Sequence, residues 1–157
     1  MTNDNDHFHS RKSPRMKHFD YSSVNYYFIT ICTWGKACLF GHPRQENSMS
    51  TIARRGIQEI ESHFPGVTVD KYVIMPNHVH AILILDGSID LSVVVGLYKS
   101  YVTREIHKFS PNLKVWQTSF HGHVIRNQAA YEKIWLYIES NPTNWEKDCF
   151  FEPRKIP

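Results

Sequence analysis

Residues 75–85 read MPNHVHAILIL, two histidines one residue apart at the mouth of an apolar run. Side chains of an extended chain alternate between faces, so His78 and His80 share one face with Ile82 and Ile84, while Val79, Ala81, Leu83 and Leu85 share the other. A strand that is apolar on both faces is buried on both. The two imidazoles therefore lie under a further layer, and the element that covers them decides both the architecture and the chemistry.

Working outward, residues 67–74 form a second strand-like run, joined to the first through the compact turn MPN, which makes the two an antiparallel pair. Residues 26–33 (YYFITICT) are β-branched and aromatic and read as the first strand. The stretch 34–50 reads as a loop. Beyond it Ile52, Ala53, Ile57, Ile60 and Phe64 recur at helical spacing until Pro65-Gly66 ends the pattern, which predicts a helix over 51–64. After DGSID, Val94, Leu97, Tyr98, Tyr101, Val102 and Ile106 predict a helix over 91–109. A last strand is expected over 120–125, and Asn127 is placed to cap a helix that starts at Gln128 and cannot pass Pro142. The order β-α-β-β-α-β-α, with right-handed crossovers, predicts an α+β fold of the ferredoxin-like, split-βαβ type. It has a four-stranded antiparallel sheet, two helices on one face and the C-terminal, tyrosine-bearing helix free to cover the other.

A chain of 157 residues with 41% hydrophobic and 21% charged residues has the size and make-up of one globular domain. Its apolar runs fall far short of a membrane span, and the opening MTNDNDHFHS has no apolar core of a secretory signal, so no membrane partner is expected. Cys32, Cys38 and Cys149 form neither a C-x-x-C pair nor an even framework, which fits a reducing cytoplasm better than a disulfide scaffold. The net charge of +3 permits a polyanionic partner without demanding one. Arg11, Lys12, Arg15 and Lys17 crowd the polar segment 1–20, which reads as a flexible basic arm ahead of a domain at 21–150 and a short tail at 151–157.

Two histidines at i, i+2 on a strand can turn their ring nitrogens to one divalent ion, or they can form a hydrogen-bonded structural pair; spacing alone leaves both open. On the last helix Ala130, Ile134, Tyr137, Ile138 and Asn141 share a face, so a phenol and an amide stand one turn apart. If that face covers His78 and His80, a metal site and a nucleophile come together. By composition Tyr98, Tyr101 and Tyr131 are equal candidates, and Asn141 is equally a helix-end residue before proline.

The segments RKSPRMKHFDYSSVNYYFITICTWGKACLFG, DKYVIMPNHVHAILIL, VGLYKSYVTREIHK, VWQTSFHGHVIRN and YIESNPTNWEKD follow one another over nearly the whole chain. Together they resemble the single-tyrosine HUH transposases that act on single-stranded DNA, most closely the REP-associated tyrosine transposase branch. The resemblance implies that His78 and His80 bind a divalent metal, Mg²⁺ or Mn²⁺, that Asn141 is the third ligand, and that Tyr137 is the nucleophile of a 5′-phosphotyrosine intermediate in DNA transposition. An unperturbed phenol, with a pKa of about 10, is a poor nucleophile at neutral pH, which is why such chemistry needs a metal to draw charge from the phosphate. Single-stranded or hairpin DNA is the implied partner, with Lys99, Arg104 and Arg126 expected to contact it. A domesticated, non-catalytic hairpin-binding protein on the same scaffold is the alternative. A prokaryotic, nucleoid-associated location and a monomer or homodimer accompany the reading. The chain departs from its relatives at FHGHVIRN, where an aromatic and an acidic residue often precede the last strand's histidine. His121 and His123 there form a second His-x-His that reads as a surface or hydrogen-bonding pair.

Overall fold

The computed structural model describes residues 24–148 and 150; the arm at 1–20 and the tail at 151–157 lie outside the described residues. The elements in chain order are β1 (Asn25–Cys32), α1 (Ser48–Gln58), α2 (Ile60–His63), β2 (Val67–Met75), β3 (His78–Leu85), α3 (Leu91–His107), β4 (His121–Ile125) and α4 (Gln128–Ser140), with 3₁₀ turns at Trp34–Lys36 and Trp145–Lys147. The sheet order is β2-β3-β1-β4 and every neighbouring pair is antiparallel. β1 and β2 are therefore parallel with β3 between them, and β3 and β4 parallel with β1 between them, which is the split βαβ arrangement expected.

The alternation in β3 divides the molecule into layers. Val79, Ala81, Leu83 and Leu85 join Ile29 and Ile31 of β1 on the face packed by Ala53 and Ile57 of α1 and by Val94, Tyr98, Val102 and Ile106 of α3. On the opposite face Ile82, Tyr26 and Ile125 meet Tyr131 and Ile138 of α4. The layer covering His78 and His80 is thus α4, as the sequence predicts.

Among the described residues that second layer buries fewer apolar side chains, and polar anchors on β2 help to fix it. The β2–β3 register shifts between Val69 and Lys71, a bulge at Asp70. A bulge puts an extra residue on one side of the strand, and here Asp70 and Lys71 both reach α4. Tyr131 donates its hydroxyl to Asp70 Oδ2 at 2.5 Å, Lys71 pairs with Glu139, and the Lys71 ammonium stands 4.0 Å from the Trp135 ring centroid.

Several boundaries differ from the sequence reading by a residue or two, and three differences have a local cause. α1 starts at Ser48, inside the stretch read as loop, because Asn47 and Ser50 form a capping box: Ser50 N–H donates to Asn47 Oδ1 at 2.8 Å and Asn47 N–H to Ser50 Oγ at 2.9 Å. The single helix predicted over 51–64 breaks at Glu59 into α1 and α2, and Glu61 then accepts the Val69 N–H at 2.7 Å, tying α2 to β2. Thr33, read as the end of the first strand, lies beyond β1 and bridges to Trp116. Among the described residues no helix is long and apolar enough to cross a membrane.

Candidate active site

Pro76 and Asn77 are the whole connection between β2 and β3, so Met75 pairs directly with His78. The turn is held by its own carbonyls: Phe40 N–H donates to Pro76 O at 3.0 Å and Thr33 N–H to Asn77 O at 2.9 Å. His78 is thereby fixed at the strand entrance, opposite Cys32 on β1, and His80 follows opposite Thr30. The two rings are 4.5 Å apart and both residues are essentially fully buried, at 0% and 1% exposure.

Hydrogen bonds settle which nitrogens are free. His78 Nδ1 lies 2.8 Å from Asn77 Oδ1. An amide oxygen only accepts, so the His78 proton is on Nδ1 and Nε2 carries the lone pair. His80 Nδ1 is engaged by Thr30 Oγ1 at 2.9 Å, a hydroxyl that serves either tautomer of the ring, and this leaves Nε2 as the outward nitrogen. Burial holds both imidazoles at a pKa of about 3, far below their ordinary value; the Asn141 side chain partly offsets this for His78, while for His80 the neighbouring His78 adds to it and Asp148 and the Ile29 backbone oppose it. Both rings are neutral at physiological pH, the form that ligates a metal.

α4 brings the other members. Asn127 caps its start by accepting the Ala130 N–H at 2.8 Å, and Asn141 ends it, 2% exposed. Tyr137 leans edge-on to His80 and Phe28, with centroids at 5.2 and 6.3 Å, and remains 38% exposed. Phe28 also stacks on His80 at 5.2 Å, so one β1 ring supports both His80 and Tyr137.

Among the described residues His78 Nε2, His80 Nε2 and Asn141 Oδ1 are buried polar atoms without a hydrogen-bond partner. Leaving one such atom unsatisfied costs about 1–3 kcal/mol; His78 Nε2 and Asn141 Oδ1 are acceptors, and so is His80 Nε2 when its ring proton is on Nδ1. Two imidazole nitrogens and an amide oxygen from one wall form a ligand set for a divalent cation, and the residues present fit that group.

Asp148 joins them, and the sequence reading missed it. Its Oδ2 accepts Asn141 Nδ2–H at 2.9 Å and the Tyr137 hydroxyl at 3.3 Å, and its carboxylate and the two imidazoles offer ligand atoms within 4.8 Å of one another. The 3₁₀ turn at Trp145–Lys147 carries it there, and Phe150 closes the arrangement, its ring 4.5 Å from His78 and its carbonyl accepting Asn77 Nδ2–H at 2.6 Å. Asn77 and Thr30 were equally unforeseen. For Asn77 a signal existed, its place beside His78 in MPNHVH; for Asp148 and Thr30 only the fold supplies one.

The structure gathers His78, His80, Asn141 and Tyr137 but not the three expected DNA contacts. Lys99 and Arg104 belong to α3, whose packing face lies on the other side of the sheet. Lys99 Nζ donates to Gln117 O at 2.6 Å and Thr118 O at 3.3 Å, and partial burial lowers its pKa. Arg104 stands over the Tyr101 ring at 5.7 Å, and with Lys99 and Lys114 it lines an open groove of about 650 Å³. Arg126 is exposed between β4 and α4. His121 and His123 lie exposed on β4, His123 edge-on to Phe28 at 5.4 Å. The other tyrosines are elsewhere: Tyr98 donates its hydroxyl to Ala53 O at 3.0 Å in the α1–α3 layer, Tyr101 stands in α3, and Tyr131 is bound to Asp70.

The family model described as "Transposase IS200 like" matches residues 20–141. An uncharacterized protein of Haemophilus influenzae Rd is 35% identical over 169 aligned residues, covering 91% of this chain and 94% of the relative. Among solved structures, a REP-associated tyrosine transposase bound to a REP hairpin superposes with a TM-score of 0.64 at 22% identity, over 84% of this chain and 74% of the other. A Deinococcus radiodurans R1 protein assigned as a transposase gives 0.55 at 16% identity, over 81% and 96%. At these identities the two structures attest the shared fold.

Proposed function

The chain belongs to the IS200-like transposase family, and on that premise we propose that it is a metal-dependent single-strand DNA endonuclease and strand transferase working through Tyr137. The observation that carries the reading is the set of three buried, partnerless acceptors, His78 Nε2, His80 Nε2 and Asn141 Oδ1, beside a tyrosine whose ring is fixed and whose edge is open. His78, His80 and Asn141 would hold Mn²⁺ or Mg²⁺, which supplies Lewis-acid stabilisation of the charge that develops on the scissile phosphate.

The protein's own groups do the rest. Asn77 keeps His78 in the tautomer whose Nε2 ligates, and Thr30 holds the His80 ring by Nδ1, accepting from it when Nε2 ligates. Phe28 and His80 fix the Tyr137 ring, so the phenol oxygen meets phosphorus in line rather than sampling rotamers. Attack by Tyr137 forms a 5′-phosphotyrosyl bond and releases a 3′-OH. The new bond retains the phosphodiester's energy, so a second DNA 3′-OH can attack it and rejoin strands without ATP. DNA reaches the site locally unpaired, since a phosphate within duplex cannot approach a phenol set among rings. Hairpin DNA with single-stranded flanks is the substrate class, and Lys99, Arg104 and Arg126 contact its backbone.

Incubation with Mn²⁺ and end-labelled hairpins is expected to yield a denaturation-resistant protein–DNA adduct that chelator abolishes. An adduct absent from the wild-type protein would favour the non-catalytic hairpin-binding alternative, and hydrolysis that persists in Tyr137→Phe would point to a phosphoesterase that does not use the tyrosine.

A further inference from the structure

Asp148 lies past the proline that ends α4, yet its carboxylate meets the amide and the phenol of that same helix. The two ends of an amide point in opposite directions, so the bond from Asn141 Nδ2 to Asp148 Oδ2 at 2.9 Å turns Asn141 Oδ1 the other way, where it is buried and partnerless like the two Nε2 atoms. That bond sets which end of the amide faces the imidazoles. The carboxylate is itself in reach of the site, within 4.8 Å of the histidine ligand atoms. Its second oxygen is anchored by the Phe150 N–H at 2.8 Å, so the group is held on both sides.

We propose that Asp148 is the anionic ligand of the metal site and, through Asn141, its positioning residue, which makes the set His78, His80, Asn141 and Asp148. The inference rests on the metal-site reading above. Two imidazoles and an amide are neutral, and a cation bound by them alone has no charge to offset its own. A carboxylate supplies one, and it does so selectively: oxygen anions favour hard ions such as Mn²⁺ and Mg²⁺, whereas imidazole nitrogens alone serve Ni²⁺ well. Asp148 therefore both strengthens the site in the absence of DNA and biases it toward the hard ions that activate phosphates.

Calorimetric titration of the full chain with Mn²⁺ and with Ni²⁺, without DNA, tests this. Asp148→Asn keeps the size and an acceptor oxygen but removes the charge, Asp148→Ala removes both, and Asp148→Glu keeps the charge. Mn²⁺ affinity is expected to fall about 10-fold or more in Asp148→Asn and further in Asp148→Ala, with Ni²⁺ affinity falling less and Asp148→Glu recovering part of the Mn²⁺ loss. Circular dichroism on the near-isosteric Asp148→Asn verifies the fold. Mn²⁺ binding within twofold of wild type, or equal losses for both ions, overturns the proposal, as does a rise in adduct formation, which would make Asp148 a restraint on Tyr137. A wild-type chain that binds Mn²⁺ yet forms no adduct refutes the transposase chemistry and leaves this ligand assignment standing.

Discussion

The Tyr137 ring rests on Phe28 and His80, and its phenol donates to Asp148 at 3.3 Å. Removing that oxygen in Tyr137→Phe leaves the ring packing in place, and an exposed hydrogen bond of this kind is worth about 0.5–1.5 kcal/mol. Folding and Mn²⁺ binding are expected to survive while the covalent adduct disappears; Tyr98→Phe, whose hydroxyl serves the opposite layer, is expected to keep it. Loss of the adduct in Tyr98→Phe with retention in Tyr137→Phe would reverse the assignment. The histidines make a separate prediction. Their folded pKa values of about 3 lie below the unfolded value near 6.5, so the unfolded chain takes up protons first. Stability in chelator is therefore full above about pH 6.5 and is lost on acidification toward pH 3, with a slope of up to about 1.4 kcal/mol per pH unit for each imidazole. Urea unfolding between pH 7 and 4 measures it, and His80→Gln is expected to flatten the slope. A wild-type slope no steeper than the variant's would contradict the buried, neutral pair.

Two glycines in helices separate packing from propensity. A Cβ on Gly56 of α1 would stand 2.8 Å from Tyr101 Cδ1 and 3.0 Å from Tyr98 Cε2, and Tyr98 is buried with its hydroxyl tied to Ala53 O. The clash costs about 1–3 kcal/mol and the helix gains about 1 kcal/mol from alanine, so Gly56→Ala is expected to destabilise on balance. A Cβ on Gly96 of α3 meets nothing within 4 Å, so Gly96→Ala is expected to stabilise by about 0.5–1 kcal/mol. Denaturation midpoints moving the same way in both would refute the α1–α3 packing, and neither change is expected to alter Mn²⁺ affinity. The elements were legible where a periodic pattern covers their length: β3 from its two apolar faces, and α4 from its i, i+4 spacing, which also placed Tyr137 beside Asn141. The start of α1 was hidden because ENSMS has no apolar period and its signal is a pair of side-chain bonds between Asn47 and Ser50. Asp148 was hidden for a stronger reason. It reaches the site through turns after Pro142, and no local period records which way a chain turns back.

The sheet separates two tasks at the scale of the molecule. The face under α4 holds the histidines, Asn141 and Tyr137, while the groove lined by Lys99, Arg104 and Lys114 opens beside α3 on the other. Charges placed there stand across the sheet from the phenol, and on the proposed function they would hold the backbone of a hairpin whose flank crosses to the site. Each phosphate contact releases counterions, so losing one lowers the slope of log affinity against log salt by about 1 without touching sequence preference. Arg104 is the better probe than Lys99, because Lys99 also ties the 117–118 backbone to α3 and its loss disturbs that loop. The Arg104 side chain is 68% exposed and its pairing with Glu105 is loose, at 3.9 Å. Arg104→Ala is expected to weaken hairpin binding severalfold and to reduce the salt slope by about 1, while the rate of adduct formation at saturating DNA stays that of the wild type. A duplex with blunt ends is expected to bind more weakly than a hairpin with single-stranded flanks at the same salt. If Arg104→Ala instead leaves the slope unchanged and slows the adduct at saturation, the arginine serves the chemistry and the two faces are not divided as argued.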